Sequence, residues 1–209
     1  ARKIPYAHAL VNDRRWEMSA VVPINRLKGR ILGLVGFGNI AQGIVPKAHA
    51  FGIKTIAADP YVSDEVFTKL DVERVDFDQL LERADFISIH TPLTEDTKNL
   101  FGQKAFKQMK PEALLINTAR GPLVDIDALA QALVAGEIAG AALDVLPQEP
   151  PPDDCPLFGR DDVILTPHTG FYSADALLDL QTTVATDVAS VLNGEFPRFP
   201  VNPSVRDPR

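Results

Sequence analysis

Reactive and aromatic side chains are scarce in this chain of 209 residues: one cysteine, one tryptophan, two methionines and three tyrosines. The single thiol, Cys155, excludes an internal disulfide and fits a reducing compartment, so a cytoplasmic location is expected. Neither Cys155 nor the four histidines stand at the spacing of a zinc site, and no metal is expected. Positive charge is also short. Twenty-one Lys and Arg against 28 Asp and Glu give a net charge of −7, which argues against an electrostatic nucleic-acid surface. No apolar run approaches the ~18 residues of a membrane-spanning helix. The opening Ala-Arg-Lys-Ile-Pro-Tyr has no apolar signal core.

What the chain does have is alternation. Short apolar runs at 31–35, 54–58, 86–89, 113–116, 140–145 and 163–166 lack a strict period of two, as expected of strands buried on both faces. Helix-like stretches at 39–51, 63–70, 78–83, 102–109 and 126–135 lie between them, the last stopped by Gly136. Strand–helix–strand repetition predicts an α/β fold with a doubly wound parallel sheet. Three segments are expected: a helical arm at 1–25, centred on 13–20; a dinucleotide-binding domain at 26–168; and a C-terminal helix and tail at 169–209. The helix at 173–193 gathers Ala176, Leu177, Leu180, Val184, Val188, Val191 and Leu192 on one face, which needs something to pack against.

The first strand runs into Gly36-Phe37-Gly38-Asn39-Ile40-Ala41. Gly36 permits the tight turn, Gly38 lets the backbone approach a phosphate, and Ala41 still allows close helix–strand contact. The free N–H groups and positive end of the following helix would face a pyrophosphate. The second strand ends in Asp59-Pro60, where a carboxylate can accept the ribose 2′-OH and repel a 2′-phosphate, favouring NAD over NADP. The alternative for Asp59 is a turn-initiating Asp before Pro. Pro46 interrupts the expected helix and should kink it.

Three further strand ends carry Arg120, Glu149 and His168, in Asn-Thr-Ala-Arg-Gly, Gln-Glu-Pro and Thr-Pro-His-Thr-Gly. A guanidinium can grip a carboxylate through two parallel hydrogen bonds. A carboxylate beside an imidazole favours the imidazolium, which can protonate a ketone as hydride arrives. Singly, each reads as a loop or surface residue; at three strand ends of one fold, they read as a catalytic set. His90 also ends a strand but lacks an acid partner, so it is cofactor-proximal or structural. His8 and His49 read as surface or helix residues.

These segments, with Ala-Asp-Pro, His-Thr-Pro-Leu-Thr and Ala-Gly-Ala-Ala-Leu-Asp-Val, make residues 27–194 resemble the D-isomer-specific 2-hydroxyacid dehydrogenases. The resemblance implies an NAD-dependent oxidoreductase that interconverts a D-2-hydroxy acid and its 2-oxo acid. Arg120 would bind the substrate carboxylate, His168 would be the acid/base, and Glu149 its partner. It also implies that Asp144 lies near the nicotinamide carboxamide, and that Thr91, Pro92, Thr97, Thr118 and Ala119 line the cofactor cleft with Arg120, His168 and Gly170. Segment 1–25 resembles the dimer-forming arm of that family, which implies a homodimer. The pieces around 59–64 and 168–173 are similar to the branch that includes the C-terminal-binding-protein corepressors, so an NAD-sensing dimeric interaction module is the alternative. The resemblance implies an N-terminal substrate domain, on the order of 100 residues, for which no matching segment is expected within residues 1–209. The expectation is a chain that binds NAD yet turns substrate over weakly or not at all by itself.

Overall fold

The computed structural model describes residues 1–202. Two compact units divide the chain, Ala1–His168 and Thr169–Arg209. In the first, α1 (Ile4–Asn12), β1 (Ile31–Val35), α2 (Asn39–Ala50), β2 (Lys54–Ala58) and α3 (Asp64–Lys69) lead into β3 (Glu73–Arg74) and α4 (Phe77–Arg83). Then come β4 (Phe86–Ile89), α5 (Gln103–Gln108), β5 (Leu114–Asn117), α6 (Ile126–Ala135), β6 (Gly140–Leu143) and β7 (Val163–Leu165).

The strands form one sheet in the order β3-β2-β1-β4-β5-β6-β7, with every neighbour parallel. Both faces of β1 are buried, which is why its sequence shows no alternation. Leu32 and Leu34 pack with Ala41, Val45 and Ala48 of α2 and Phe67 of α3. Val35 belongs to the opposite cluster, with Leu80 and Leu81 of α4, Ala105 and Phe106 of α5 and Leu129 of α6. Gly33 makes room on that second face, since a Cβ there would lie 2.7 Å from Leu80 Cδ2.

Strand register aligns the carboxyl ends. Ala58, Val35, Ile89, Asn117, Leu143 and Leu165 are cross-strand partners in one row, each the last residue of its strand. Beyond that row the chain leaves every strand on the same edge, and the winding reverses between β1 and β4. Such a switch point opens a ligand cleft.

The opposite edge is tied by Asp85. Its carboxylate accepts hydrogen bonds from the Ile31 amide (2.8 Å), Lys110 (3.1 Å) and Arg30 (3.2 Å). Its backbone bridges Ile31 and Leu114. Burial alone would raise the Asp85 carboxyl, but the Ile31 amide, Lys110 and Arg30 together hold it below its ordinary value. Asp85→Asn is expected to cost about 2 kcal/mol in urea unfolding at neutral pH. Because the folded value is depressed, this contribution is complete above the unfolded carboxyl's value and is lost as pH falls through the folded one. The gap between wild type and variant should therefore close only in acid, below the ordinary value of 3.8; a gap that stays constant to pH 2 would rule the linkage out.

Four features differ from the sequence reading. The N-terminal helix spans Ile4–Asn12 rather than 13–20, because Pro5 sits in its first turn and the chain leaves it at Asp13, followed by Arg14 at φ 61°. Strand β3 has only two residues, both exposed, so it carries no apolar signal. Strand β6 ends at Leu143, and β5 lies one residue later than expected. Helix α2 runs through Pro46 as one element. Pro46 is exposed, so the Gln42 carbonyl that loses its helical donor faces the side from which water can reach it.

The second unit contains α7 (Ala174–Leu192), capped where Ser173 Oγ accepts the Ala176 N–H at 2.9 Å. Past Gly194 (φ 81°) the tail returns along the helix, where Asp187 accepts from Arg198 Nε (3.1 Å) and the Phe199 amide (3.3 Å). Within this unit no α7 residue is fully buried, and Leu180, Val184, Val188, Val191 and Leu192 are all exposed. Residues 203–209 of the expected tail lie outside the described residues. Among the described residues no helix is long and apolar enough to cross a membrane.

Candidate active site

The glycine turn is wedged between two neighbouring strand ends. Gly36 has φ 85° and its N–H bonds to the Ala58 carbonyl at 2.9 Å. A Cβ on Gly36 would stand 2.7 Å from the Thr91 nitrogen and 2.8 Å from the His90 carbonyl carbon. Gly38 is the opposite case: a Cβ there would meet nothing within 4 Å. Gly38 is the N-cap of α2, no side chain caps that end, and Gly38, Asn39 and Ile40 are exposed. The first amides of a helix have no intrahelical partners, so this open, uncapped end fits an anionic pyrophosphate.

Asp59 reaches the turn from β2. Its Oδ2 accepts the Phe37 N–H at 2.7 Å, and its Oδ1 accepts from Tyr61 (2.8 Å) and Val62 (3.2 Å). Asp59 thus organises its own turn, as one sequence reading expects, and also fastens the glycine loop. A carboxylate has about four acceptor sites, so capacity for a ribose hydroxyl remains.

After β4, Thr91 and Pro92 begin the loop that backs Gly36. Thr97 Oγ1 donates to the Pro92 carbonyl at 2.8 Å and accepts the Thr94 N–H at 2.7 Å, which closes that loop on itself. His90 Nε2 meets Ser88 Oγ at 2.9 Å, and burial pushes its pKa down, which favours the neutral imidazole. His49, read as a surface or helix residue, lies in α2, where it is half-buried with Nε2 2.9 Å from Thr55 Oγ1.

After β5, the fully buried Asn117 shapes the next turn. Its Oδ1 accepts the Ala119 N–H (3.0 Å) and its Nδ2 donates to the Arg120 carbonyl (2.9 Å). This turn exposes Thr118 and Arg120 and half-buries Ala119. Arg120 Nη1 donates to the Ala119 carbonyl at 2.6 Å, and among the described residues the guanidinium joins no ion pair.

After β6 and β7 come the last two candidates, and here they meet. His168 Nδ1 lies 2.7 Å from Glu149 Oε2. Glu149 Oε1 accepts the Leu146 N–H at 2.9 Å. The His168 hydrogen bond, with the Leu146 amide behind it, holds the Glu149 carboxyl below the usual range. The His168 main-chain N–H bonds to the Asp144 carbonyl (2.9 Å), and buried Asp144 accepts from Thr166 Oγ1 at 2.5 Å. His168 itself sits at φ 52°, a conformation L side chains adopt at a cost of about 1 kcal/mol or more. Such strain accumulates at functional sites. Gly170 falls in the second unit.

The sequence reading missed Asn117, Gly121 and the Leu146 amide. Asn117 had a usable signal, an Asn at a strand end two residues before a backbone N–H it could accept. Gly121 had none, because its contact with Leu146 is distant in sequence; the Leu146 amide lies only three residues before the carboxylate it bonds, but a backbone N–H carries no residue signal.

Residues 1–170 match the family model described as "D-isomer specific 2-hydroxyacid dehydrogenase, NAD binding domain". The chain is 42% identical over 203 residues to a D-3-phosphoglycerate dehydrogenase of Methanocaldococcus jannaschii, spanning 97% of this chain and 38% of that protein. It is 41% identical to a glyoxylate reductase of Thermococcus litoralis, over 98% of this chain and 63% of that one. Among solved structures it resembles the NAD+ complex of D-lactate dehydrogenase from Lactobacillus jensenii, with a TM-score of 0.86 and 34% identity over 96% of this chain and 64% of that one. The chain thus spans between about a third and two thirds of the length of these relatives. Its cofactor is NAD, and the open amide end of α2 is the feature that fits it. An uncapped glycine turn at the switch point, a His–Glu pair beyond the ends of β6 and β7 and the family match lead to one conclusion: this chain belongs to the D-isomer specific 2-hydroxyacid dehydrogenase family, within its NAD-binding domain.

Proposed function

We propose that this chain supplies the cofactor cleft and catalytic set of an NAD-dependent dehydrogenase acting on a D-2-hydroxy acid and its 2-oxo acid. The observation that carries the reading is the 2.7 Å contact of His168 with Glu149, next to the strand end that bears Arg120. When bound, the cofactor supplies or accepts the hydride at C2 of the substrate. The protein's own part is proton handling and orientation. Glu149 holds Nδ1 and fixes the ring, and Nε2 is the nitrogen that exchanges a proton with substrate. In reduction, Nε2–H gives its proton to the carbonyl oxygen as C2 gains hydride, and the imidazole ends neutral. In oxidation, the neutral imidazole takes the hydroxyl proton. Arg120 binds the substrate carboxylate. Asp59, through the ribose hydroxyls, and Thr91, Pro92, Thr97, Thr118, Ala119 and Asp144, along the cleft, complete the proposed cofactor contacts. A sensing module would need the cleft but not an intact His–Glu pair, which is why the enzyme reading is preferred.

Arg120→Gln, in the protein at its native length, tests this directly. A lost charged hydrogen-bond pair should lower kcat/KM for a 2-oxo acid about 10²-fold, far more than it raises the NADH Kd. An unaffected kcat/KM would mean that the substrate carries no carboxylate at this position.

The partner proposed is a second copy, joined through residues 1–25. Apolar Trp16 is 88% exposed and Met18 79%, with Ile4, Val11 and Val22 also open; surface of that kind marks contact sites. Trp16→Glu combined with Met18→Glu should move the mass seen in analytical ultracentrifugation from dimer to monomer; a wild type that sediments as a monomer would refute the proposal. The lone buried thiol supports a reducing, cytoplasmic setting.

A further inference from the structure

Gly121 touches the backbone of the loop that carries Glu149. A Cβ at position 121 would lie 2.0 Å from the Leu146 carbonyl carbon, 2.1 Å from its oxygen and 2.5 Å from the Pro147 nitrogen. Unlike most glycines in turns, Gly121 is not at positive φ; it is required by contact rather than by conformation. It follows Arg120 directly, in a short 3-10 turn, and is buried. The peptide it presses against belongs to Leu146, whose N–H is the hydrogen bond that holds Glu149 Oε1.

We infer that Gly121 is a positioning residue that locks the Arg120 turn and the Glu149–His168 pair into one rigid assembly. This role rests on the proposed catalytic set and extends it. Two links join the turn after β5 to the loop after β6. The Asp144 N–H bonds to the Asn117 carbonyl at 2.9 Å, while Asn117 Nδ2 holds the Arg120 carbonyl. Gly121 against Leu146 is the second, and it is the only one of the two made without side-chain atoms. Carbon–carbon contacts are ordinarily about 3.5–4 Å, so one added methyl must push the two loops apart by more than about 1 Å. The displaced groups are the Leu146 amide, Glu149 and, through Glu149, the His168 ring. Arg120 would no longer stand at the same offset from that ring. A misplacement of about 1 Å can cost 10²-fold in rate.

The test uses the protein at its native length. Gly121→Ala should lower kcat about 10²-fold with the NADH Kd unchanged. It should also abolish the downfield imidazole N–H proton resonance of the His168–Glu149 hydrogen bond, a signal assigned by its loss in Glu149→Gln. A merely structural role would lower thermal stability and leave that resonance in the folded protein. Pro147→Gly covers the case in which Gly121→Ala fails to fold. Pro147 is exposed, so this change leaves no cavity but frees the peptide that Gly121 braces, and it should weaken the same resonance and lower kcat in the same direction. Retention of both the resonance and kcat in folded Gly121→Ala, or in Pro147→Gly if the alanine variant does not fold, would overturn the inference. If instead Arg120→Gln and Glu149→Gln keep full activity, it is the catalytic reading that falls. The resonance would still report on the brace alone.

Discussion

His168→Asn is expected to lower turnover by about 10³ in both directions, the scale of a lost general acid–base, while NAD still binds. Asparagine suits the test because the backbone at 168 lies at φ 52°, a region Asn tolerates better than most residues. The fold should survive, and the loss would be chemical. Glu149→Gln keeps the volume and a hydrogen-bonding group but removes the charge that stabilises an imidazolium. It should lose less than His168→Asn, and its loss should depend on pH. In the wild type the Glu149 carboxyl is held below its ordinary value of 4.5. Its folded form therefore stays ionised as pH falls past that value, and the pair breaks only at the lower, folded one. Activity in the wild type should show this acid limb and the Gln variant should lack it. Identical acid limbs in the two proteins, measured as kcat against pH, would remove Glu149 from the mechanism.

The second large effect separates folding from cofactor binding at two nearby glycines. Gly36→Ala puts a methyl against the His90–Thr91 peptide and forces an L side chain to φ 85°. Strain and overpacking together should cost about 3 kcal/mol, and NAD affinity should fall with the distorted turn. Gly38→Ala meets nothing within 4 Å and has φ −75°, so its melting temperature without ligand should match the wild type. Its methyl nonetheless stands on the open side of the α2 amides, and calorimetry should find NAD binding weakened by about tenfold or more, 1.4 kcal/mol per decade. If Gly38→Ala binds NAD normally, the pyrophosphate does not approach that side of the turn.

Much of this architecture is written in local patterns. The strands are readable because burial on both faces makes them continuous apolar runs, and the glycine turn and Asp59 are readable because a strand end, a tight turn and a helix start each carry their own residues. Glu73–Arg74 is not readable as a strand: two exposed charged residues pair with β2 through backbone alone. The N-terminal helix expected at 13–20 forms instead at Ile4–Asn12, where Pro5 marks the first turn. The pairing of Glu149 with His168 could be inferred from strand order, since both follow neighbouring strands. The contact of Gly121 with Leu146 could not, because it joins two backbones across 25 positions and leaves no side chain to notice.

The Asp85 tie and the His168–Glu149 pair stand at opposite ends of the same parallel strands. Changes that are well separated and share no partners add in free energy, so reinforcing one end should leave the chemistry of the other untouched. The sheet thus works as an insulator: a substitution in the loops on one edge and a substitution at the Asp85 tie on the other should each keep its own effect when the two are combined.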